Sequence, residues 1–233
     1  MGYLQYICNL IHHDITFMSE IIKKCGVLFD LDGVLLDSEG QYSIFWENIE
    51  KEYPTGIDNF ASYIKGFHLS RILKFFSDDN VRQLILQRLS DFERDMKYEF
   101  FPGAIDYIKR LQEAGIPMAI VTSSDRTKMQ SLYSQYPEFP SLFSYIITGD
   151  MVTKAKPDPD CFIMGAQKLG LDIKDCIVLE DSRNGLLAGR ASGARVIGVA
   201  TTLSREVVSE LSDLTIDAVC QLSVEQTVNC PRK

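Results

Sequence analysis

Polar side chains that can transfer a phosphoryl group follow three short apolar runs. Asp30 and Asp32 follow the first run, Thr122–Ser124 the second and Glu180–Asp181 the third, and Lys156 precedes a helical segment. Clustered carboxylates are ligands that Mg²⁺ prefers, and hydroxyl and backbone N–H groups at a strand-to-helix turn can hold an anion. Because Mg²⁺, a lysine and N–H donors together stabilise a transferring phosphoryl group, this set of residues indicates phosphoryl-transfer chemistry.

The two aspartates of the first stretch suit two different roles. Gly33 lets the chain turn after the strand, so that both carboxylates can face one cavity. Asp30 can then attack phosphorus and form an aspartyl-phosphate, with the metal and the lysine keeping it ionised. Asp32 can protonate the leaving oxygen and later deprotonate the attacking water. A single aspartate at a strand end is about as often a turn or cap residue, so only the complete set favours catalysis.

Apolar strands alternate with helices along most of the chain. The predicted strands are Gly26–Asp30, Pro117–Thr122, Tyr145–Thr148, Cys176–Leu179, Val196–Ala200 and Ala218–Cys220. The predicted helices are Ala104–Ala114, Arg126–Tyr133, Asp160–Leu169, Gly185–Ala191 and Arg205–Leu211. This alternation predicts an α/β fold with a parallel sheet and helices on both faces. Ligands of such sheets bind beyond the carboxyl ends of the strands, where the polar residues lie.

The stretch 41–97 differs from the rest, because its apolar residues recur at helical spacing throughout. Breaks at Pro54–Asn59, Gly66 and Ser77–Asn80 divide it into segments that predict an inserted α-helical bundle. Asp78 or Asp79 is expected to cap its last helix.

Composition narrows the possible functions of the 233-residue chain. Its net charge of -8 disfavours binding to nucleic acid or to an anionic membrane. No run reaches the roughly 18 apolar residues that cross a bilayer, so no membrane contact is expected. The six cysteines form no C-x-x-C pair and predict reduced thiols in a cytoplasmic protein. A metal site at His12–Asp14 is a weak alternative to a plain extension, and the end of the chain, 227–233, is expected to fray.

The polar stretches resemble the four motifs of the haloacid dehalogenase superfamily of phosphohydrolases, in the same order. Phe29–Ser38 is similar to the first motif, Ile120–Ser124 to the second, Lys156–Pro157 to the third and Leu179–Ser182 to the fourth. The helical stretch after the first motif resembles the small helical (C1-type) cap of the β-phosphoglucomutase-like and sugar phosphatase branch. The resemblance implies a Rossmann-like core and covers roughly 27–220.

The resemblance implies catalytic and metal-binding roles for individual residues. Asp30 would be the nucleophile and a magnesium ligand, and Asp32 the general acid/base whose backbone carbonyl also binds the metal. Glu180 and Asp181 would complete the metal shell, directly or through water. The cofactor implied is Mg²⁺. The presence of Asp32 argues against the dehalogenases, which do not need a second acid.

The resemblance also implies how the phosphoryl group is held. Thr122 and the backbone N–H of Ser123 would bind its oxygens, and Lys156 would neutralise nucleophile and phosphate together. Thr122 and Lys156 therefore join Asp30 and Asp32 in the expected catalytic set.

Two departures from the β-phosphoglucomutases favour a phosphatase. Those enzymes carry a histidine twelve residues after the nucleophile, where this chain has Tyr42, and a Lys-Gly-x-x-Arg stretch that grips a second phosphate. Lys65 and Gly66 match that stretch, but Leu69 stands where the arginine is expected. His68, Arg71 and Lys74 are candidate substrate contacts, or else solvated charges. Tyr42 and Trp46 can line the cap side of the cavity, although a tryptophan at helical spacing is more often a core residue.

The sequence therefore predicts a catalytic core at 26–40 and 98–222, a helical cap at 41–97, an extension at 1–25 and a tail at 223–233. The expected function is Mg²⁺-dependent hydrolysis of a small phosphorylated metabolite, with sugar phosphates first, by a monomer or weak dimer. The alternatives are a phosphosugar isomerase of the β-phosphoglucomutase type, an inorganic pyrophosphatase and a non-enzymatic phosphate-ligand binding protein.

Overall fold

The computed structural model describes residues 25–65, 67 and 69–233, and its centre is a six-stranded sheet with all strands parallel. The strands are β1 (Gly26–Phe29), β2 (Met118–Val121), β3 (Tyr145–Ile147), β4 (Cys176–Glu180), β5 (Arg195–Val199) and β6 (Leu214–Ile216). They are ordered β3-β2-β1-β4-β5-β6. The Rossmann-like parallel core predicted from the sequence is confirmed.

Helices connect the strands and also form the insertion after β1. The helices are α1 (Glu39–Glu52), α2 (Phe60–Tyr63), α3 (Leu69–Ile72), α4 (Asp79–Asp95), α5 (Ala104–Glu113), α6 (Arg126–Gln135), α7 (Asp160–Leu169), α8 (Arg183–Ser192), α9 (Arg205–Leu211) and α10 (Val224–Val228). Short 3₁₀ turns lie at Leu73–Phe75, Phe139–Leu142, Gly149–Met151, Ile173–Asp175 and Val219–Gln221.

The sheet is buried on both faces, because successive strand residues point to opposite sides. Val27 and Phe29 of β1 belong to one apolar cluster, which α5, α6 and α10 cover, whereas Leu28 belongs to a second cluster, which α7, α8 and α9 cover. Two-sided burial holds the carboxyl ends of the strands in a fixed arrangement. Among the described residues, no helix is long and apolar enough to cross a bilayer.

The insertion has an apolar core of its own. Trp46 and Ile49 of α1, Phe60 of α2 and Ile85 and Leu89 of α4 are buried together there. The breaks predicted around Pro54–Asn59 and Ser77–Asn80 separate these helices. The cap expected before α4 is Asp78, whose carboxylate accepts the backbone N–H of Asn80 at 2.8 Å. The boundaries of the predicted domains stay predictions.

The carboxyl-terminal segment differs from its prediction in two ways. The last strand is Leu214–Ile216, whereas Ala218–Cys220, predicted as a strand, overlaps a 3₁₀ turn at Val219–Gln221. The expected fraying of 227–233 is also wrong. Ser223 and Gln226 form a capping box at the start of α10, and Thr227 and Val228 are buried against the core.

Five of the cysteines are described, and all five are free thiols, as expected: Cys25, Cys161, Cys176, Cys220 and Cys230. The predictions for Cys8, for the His12–Asp14 cluster and for the extension up to residue 24 lie outside the described residues, as do those for Gly66 and His68.

Candidate active site

The site lies at the carboxyl ends of β1 and β4, where the strand order reverses direction. Phe29 of β1 pairs with Leu179 of β4, which places the next residues, Asp30 and Glu180, side by side. Backbone hydrogen bonding fixes this neighbourhood, since the N–H of Asp30 donates to the carbonyl of Leu179 at 2.9 Å. Crevices at such a reversal are where open α/β sheets bind their ligands.

Lys156 bridges the acids of the two strands. Its ammonium lies 2.5 Å from Oδ1 of Asp30 and 2.7 Å from Oε2 of Glu180, and it also donates to the carbonyl of Val121 at 3.1 Å. All three charged side chains are buried. Burial alone would lower the pKa of Lys156, but the charges of Asp30 and Glu180 outweigh it and raise that pKa.

The carboxylates outnumber the positive charge around them. Burial and then the charge of Glu180 raise the pKa of Asp30 to about 8, despite its contact with Lys156. Burial, Glu180 and Asp30 raise the pKa of Asp181 well above its ordinary value. One oxygen from each of Asp30, Glu180 and Asp181 can be chosen so that all three lie within 4.8 Å of one another. A hard divalent cation such as Mg²⁺ fits this buried, charge-deficient oxygen set.

Asp32 is held differently from Asp30. Its Oδ1 accepts from the ammonium of Lys128 at 2.6 Å and from the hydroxyl of Ser38, and its Oδ2 accepts from the hydroxyl of Ser124 at 2.8 Å. Burial would raise the pKa of Asp32, but the charge and hydrogen bonds of these donors lower it. The pair of aspartates therefore separates into a carboxyl with a raised pKa and one with a lowered pKa.

Two glycines permit close approaches that the site needs. Gly33 has φ +78°, and a Cβ there would lie 1.9 Å from Oδ2 of Asp181. A Cβ on Gly185, near the start of α8, would lie 1.9 Å from the carboxyl of Glu180. The turn that brings both aspartates to one cavity, expected at Gly33, is present.

The turn after β2 supplies hydroxyl groups. Thr122 is buried, and its Oγ1 accepts the backbone N–H of Ser124 at 3.0 Å, which leaves the hydroxyl hydrogen free to donate to an anion. Ser123 is exposed to the cavity. This turn can hold phosphoryl oxygens opposite Asp30.

A cavity of about 470 Å³ separates these residues from the insertion. Its core wall carries Asp30, Asp32, Thr122, Lys156 and Asp181. Its cap wall is largely apolar. The apolar side chains of that wall are those of Trp46, Ile64, Phe67, Leu69, Ile72, Leu86 and Leu89. The volume is in the range of small-molecule sites.

Of the predicted substrate contacts on the cap that the structure describes, Tyr42 and Lys65 line the cavity, whereas Arg71 does not. Tyr42 lines the cavity, and its hydroxyl donates to Oε1 of Glu93 at 2.7 Å. Lys65 also lines it, with its ammonium 3.5 Å from Oε2 of Glu39. Arg71 is exposed, its guanidinium lies 3.7 Å from the centre of the Phe67 ring, and it is not among the described lining residues.

Sequence reasoning missed Glu93 and Lys128, and it gave no role to Ser38 and Ser124, although both serines lie in the quoted motifs. Ser38 stands at the N-cap position of α1, where a serine normally caps the helix, but its hydroxyl contacts Asp32 instead. Lys128 is on a helix whose other basic and polar residues are largely exposed, so its burial gives no signal in the sequence.

Comparison with known proteins agrees with this geometry. Residues 26–193 match the family of haloacid dehalogenase-like hydrolases. The chain is 32% identical over 215 residues to hexitol phosphatase A of Escherichia coli, covering 88% of this chain and 95% of that protein. It is 31% identical over 218 residues to a probable pseudouridine-5'-phosphatase of Saccharomyces cerevisiae, covering 83% and 89% of the two chains.

Solved structures show the same fold. A haloacid dehalogenase hydrolase of family IA from Entamoeba histolytica superposes with a TM-score of 0.76 at 26% identity, covering 88% of this chain and 98% of that one. The chain belongs to the haloacid dehalogenase-like hydrolases. The family resemblance and the expectation of an enzyme of this hydrolase family are thereby confirmed.

Proposed function

We propose that this protein is a Mg²⁺-dependent phosphatase that hydrolyses a small phosphorylated metabolite, most simply a sugar or polyol phosphate, through an aspartyl-phosphate on Asp30. The observation that carries the proposal is the buried set of Asp30, Lys156, Glu180 and Asp181 at the reversal point of the sheet, open to a cavity of small-molecule size. The phosphatase names of the relatives in Escherichia coli and yeast support the same activity.

The residues divide the reaction into two steps. Asp30 attacks phosphorus while Thr122 and the Ser123 backbone hold phosphoryl oxygens, and Lys156 keeps nucleophile and phosphate from repelling each other. Asp32 gives a proton to the leaving oxygen, then takes one from the water that attacks the aspartyl-phosphate. Asp30, Glu180 and Asp181 would hold Mg²⁺, with the Asp32 carbonyl as a further ligand. When bound, Mg²⁺ supplies positive charge that keeps Asp30 ionised and neutralises phosphoryl oxygens.

Hydrolysis is favoured over isomerisation by the charges that line the cavity. Among the described residues that line the cavity, the cations are Lys65, Lys128 and Lys156, and each is paired with a carboxylate. Arg71 stacks on Phe67 instead of lining the cavity. A second phosphate on the substrate, which an isomerase of the β-phosphoglucomutase type must hold, would find no unpaired cation among these residues. The cytoplasmic location and the monomeric or weakly dimeric state stay predictions.

A substrate panel tests the proposal. The panel contains hexitol and hexose monophosphates, pseudouridine 5'-phosphate, phosphoglycolate and pyrophosphate, and phosphate release is measured with Mg²⁺ and with EDTA. We expect Mg²⁺-dependent release, fastest with a neutral polyol or sugar ester. Glucose 1-phosphate isomers are followed for 6-phosphate formation in parallel. Isomerisation faster than phosphate release would replace the phosphatase by a mutase, and no turnover of any compound would favour a non-enzymatic binding protein.

A further inference from the structure

Lys128, in the first turn of α6, is a buried lysine that the reaction above does not use. Only 3% of its surface is exposed. Its backbone N–H donates to the Asp125 carboxylate, which caps α6, at 2.9 Å. Its ammonium lies 2.6 Å from Oδ1 of Asp32. Removing an ammonium from water is unfavourable unless a carboxylate and further contacts compensate it, so this position is a specific arrangement and not a solvated charge.

The groups around the Lys128 ammonium come from both domains of the molecule. Asp32 belongs to the loop after β1, in the core. Tyr42, on α1 of the cap, places the centre of its ring 4.5 Å from the ammonium, within the range of a cation–π contact. The Tyr42 hydroxyl is held in turn by Glu93 of α4. The cap therefore covers Lys128 and prevents its side chain from turning away from Asp32.

The contacts make the two oxygens of Asp32 unequal. Among the residues that the structure describes, Oδ1 accepts from Lys128 and Ser38, whereas Oδ2 accepts from the hydroxyl of Ser124 alone. A carboxylate oxygen that already accepts two donors, one of them charged, is the poorer site for a proton. Oδ2 is therefore the oxygen with room to carry a proton to or from the reacting group.

We propose that Lys128 is a positioning residue for proton transfer to the leaving group: it fixes Asp32 through Oδ1, so that Oδ2 faces the bridging oxygen of the substrate. The inference rests on the proposed phosphatase function. Oδ2 enters this step with the proton that Asp32 took from the attacking water in the preceding turnover. As the P–O bond to the leaving group breaks and the bond from Asp30 to phosphorus forms, that proton moves to the leaving oxygen and Asp32 becomes ionised again. Lys128 keeps its own protons throughout, so the charge balance of the step is that of Asp32 alone.

The test compares two esters in the variant Lys128→Met. One is the alkyl phosphate that the wild-type enzyme hydrolyses fastest in the panel, whose alkoxide must be protonated as it leaves. The other is p-nitrophenyl phosphate, whose leaving group departs without a proton. The quantity compared is kcat/KM, because it reports the steps up to aspartyl-phosphate formation. We expect kcat/KM to fall about 100-fold or more for the alkyl ester and less than about fivefold for the aryl ester.

Further variants separate positioning from folding. Lys109→Met removes an equal charge from an exposed position of α5 and should leave both values unchanged. Lys128→Arg, which keeps the charge, should recover part of the loss. Combining Lys128→Met with Asp32→Asn should be no worse than Asp32→Asn alone, because Lys128 acts through Asp32. If Lys128→Met does not fold by circular dichroism, the same comparison is made with Lys128→Gln.

The results that would overturn the inference are distinct from those that would overturn the phosphatase. An equal loss for both esters, or no loss for either, would show that Lys128 does not position the proton donor while leaving the proposed activity intact. If the losses of Lys128→Met and Asp32→Asn add in the double variant, Lys128 does not act through Asp32, and the inference fails while the proposed activity stands. A wild-type enzyme that hydrolyses no phosphate ester would overturn the proposed function and this inference together.

Discussion

The two walls of the cavity are built from different kinds of contact. On the core wall, Lys156 lies within 2.7 Å of both Asp30 and Glu180, and all three side chains are nearly excluded from solvent. On the cap wall, Lys65 and Glu39 are 3.5 Å apart and each more than a quarter exposed, among mostly apolar neighbours. The core wall is therefore rigid and strongly charged, whereas the cap wall is adaptable and weakly charged.

The difference follows from how each wall is folded. Strand pairing fixes the core residues, because the register of β1 against β4 determines where the backbones of Asp30 and Glu180 lie. The cap helices bury their own apolar side chains around Phe60 and Ile85. Cap residues that face the cavity can therefore be substituted without disturbing the residues of the core wall. The comparison implies that the core wall carries out the reaction and that the cap wall selects the substrate.

The largest effect is expected from Asp30, the proposed nucleophile on the core wall. Asp30→Asn should lower kcat for phosphate release by at least about 10⁴-fold, because an amide cannot form the acyl phosphate. Phosphate release is measured on protein whose folding is verified by circular dichroism. Asp106→Asn, at an exposed position of α5, is the matched control and should be fully active. Substantial activity in Asp30→Asn would place the reaction outside the core wall as described.

A second large effect is expected from Asp181, the core-wall carboxylate that forms no ion pair with a lysine in the described part of the chain. Mg²⁺ at about 100 times its dissociation constant should raise the melting temperature by about 5 °C or more, because binding to the folded state alone stabilises it by about 3 kcal/mol. Asp181→Asn should abolish that rise and should itself raise the melting temperature in EDTA, since it removes a carboxyl whose ionisation is opposed by burial and by the neighbouring acids. Thermal melts measure both. An undiminished Mg²⁺ effect in this variant would show that the metal binds elsewhere.

The core wall should also set a pH dependence of stability in the absence of metal. The pKa of Asp30 is raised to about 8 and that of Asp181 is raised as well, so the folded protein binds more protons than the unfolded chain between about pH 4 and pH 8. The free energy of unfolding should therefore fall as the pH rises through this window. Asp32, whose pKa is lowered, acts in the opposite sense only below about pH 4.

Urea denaturation in EDTA at pH 5, 6.5 and 8 measures this dependence. Asp181→Asn should flatten it and Asp106→Asn should not. A stability that stays constant or rises over the window would contradict the account of crowded, undercompensated carboxylates on the core wall.

The smallest effect is expected from the cap wall. Lys65→Met should change KM for the preferred ester by less than about tenfold and leave kcat nearly unchanged, because partly exposed ion pairs contribute little. Steady-state kinetics with the best and second-best substrates of the panel measure it, and their ratio should shift. A fall in kcat comparable to that of the core variants would remove the distinction between the two walls.

The sequence reveals the core wall well, because its polar residues stand in short groups directly after apolar strands. Asp30 follows the four buried residues of β1, Glu180 follows four buried residues within β4, and parallel strands bring such ends to one edge. The last strand was less visible. Leu214–Ile216 has three residues, which are too few to show a period of two. Val219 nearby is as apolar and as buried, so hydropathy does not separate the strand from the turn that follows it.

The cap side of the site is less visible in the sequence, because its contacts depend on how separate helices pack. Lys128 of α6 contacts Asp32 of the loop after β1 and the Tyr42 ring of α1, although these residues lie far apart along the chain. The docking of α10 has the same origin, since the buried hydroxyls of Tyr107 and Thr227 meet across 120 residues. No local pattern of charge or hydropathy contains these long-range contacts.

The most direct test of the central claim is chemical trapping of the intermediate. The protein is mixed with Mg²⁺ and the best ester of the panel, quenched in acid and treated with borohydride, which reduces an acyl phosphate to an alcohol. Peptide mass spectrometry then identifies the reduced residue. We predict homoserine at position 30 in the wild-type protein, dependent on ester and Mg²⁺. Phosphate release with homoserine at another aspartate, or with none, would contradict the assignment of Asp30 as the nucleophile.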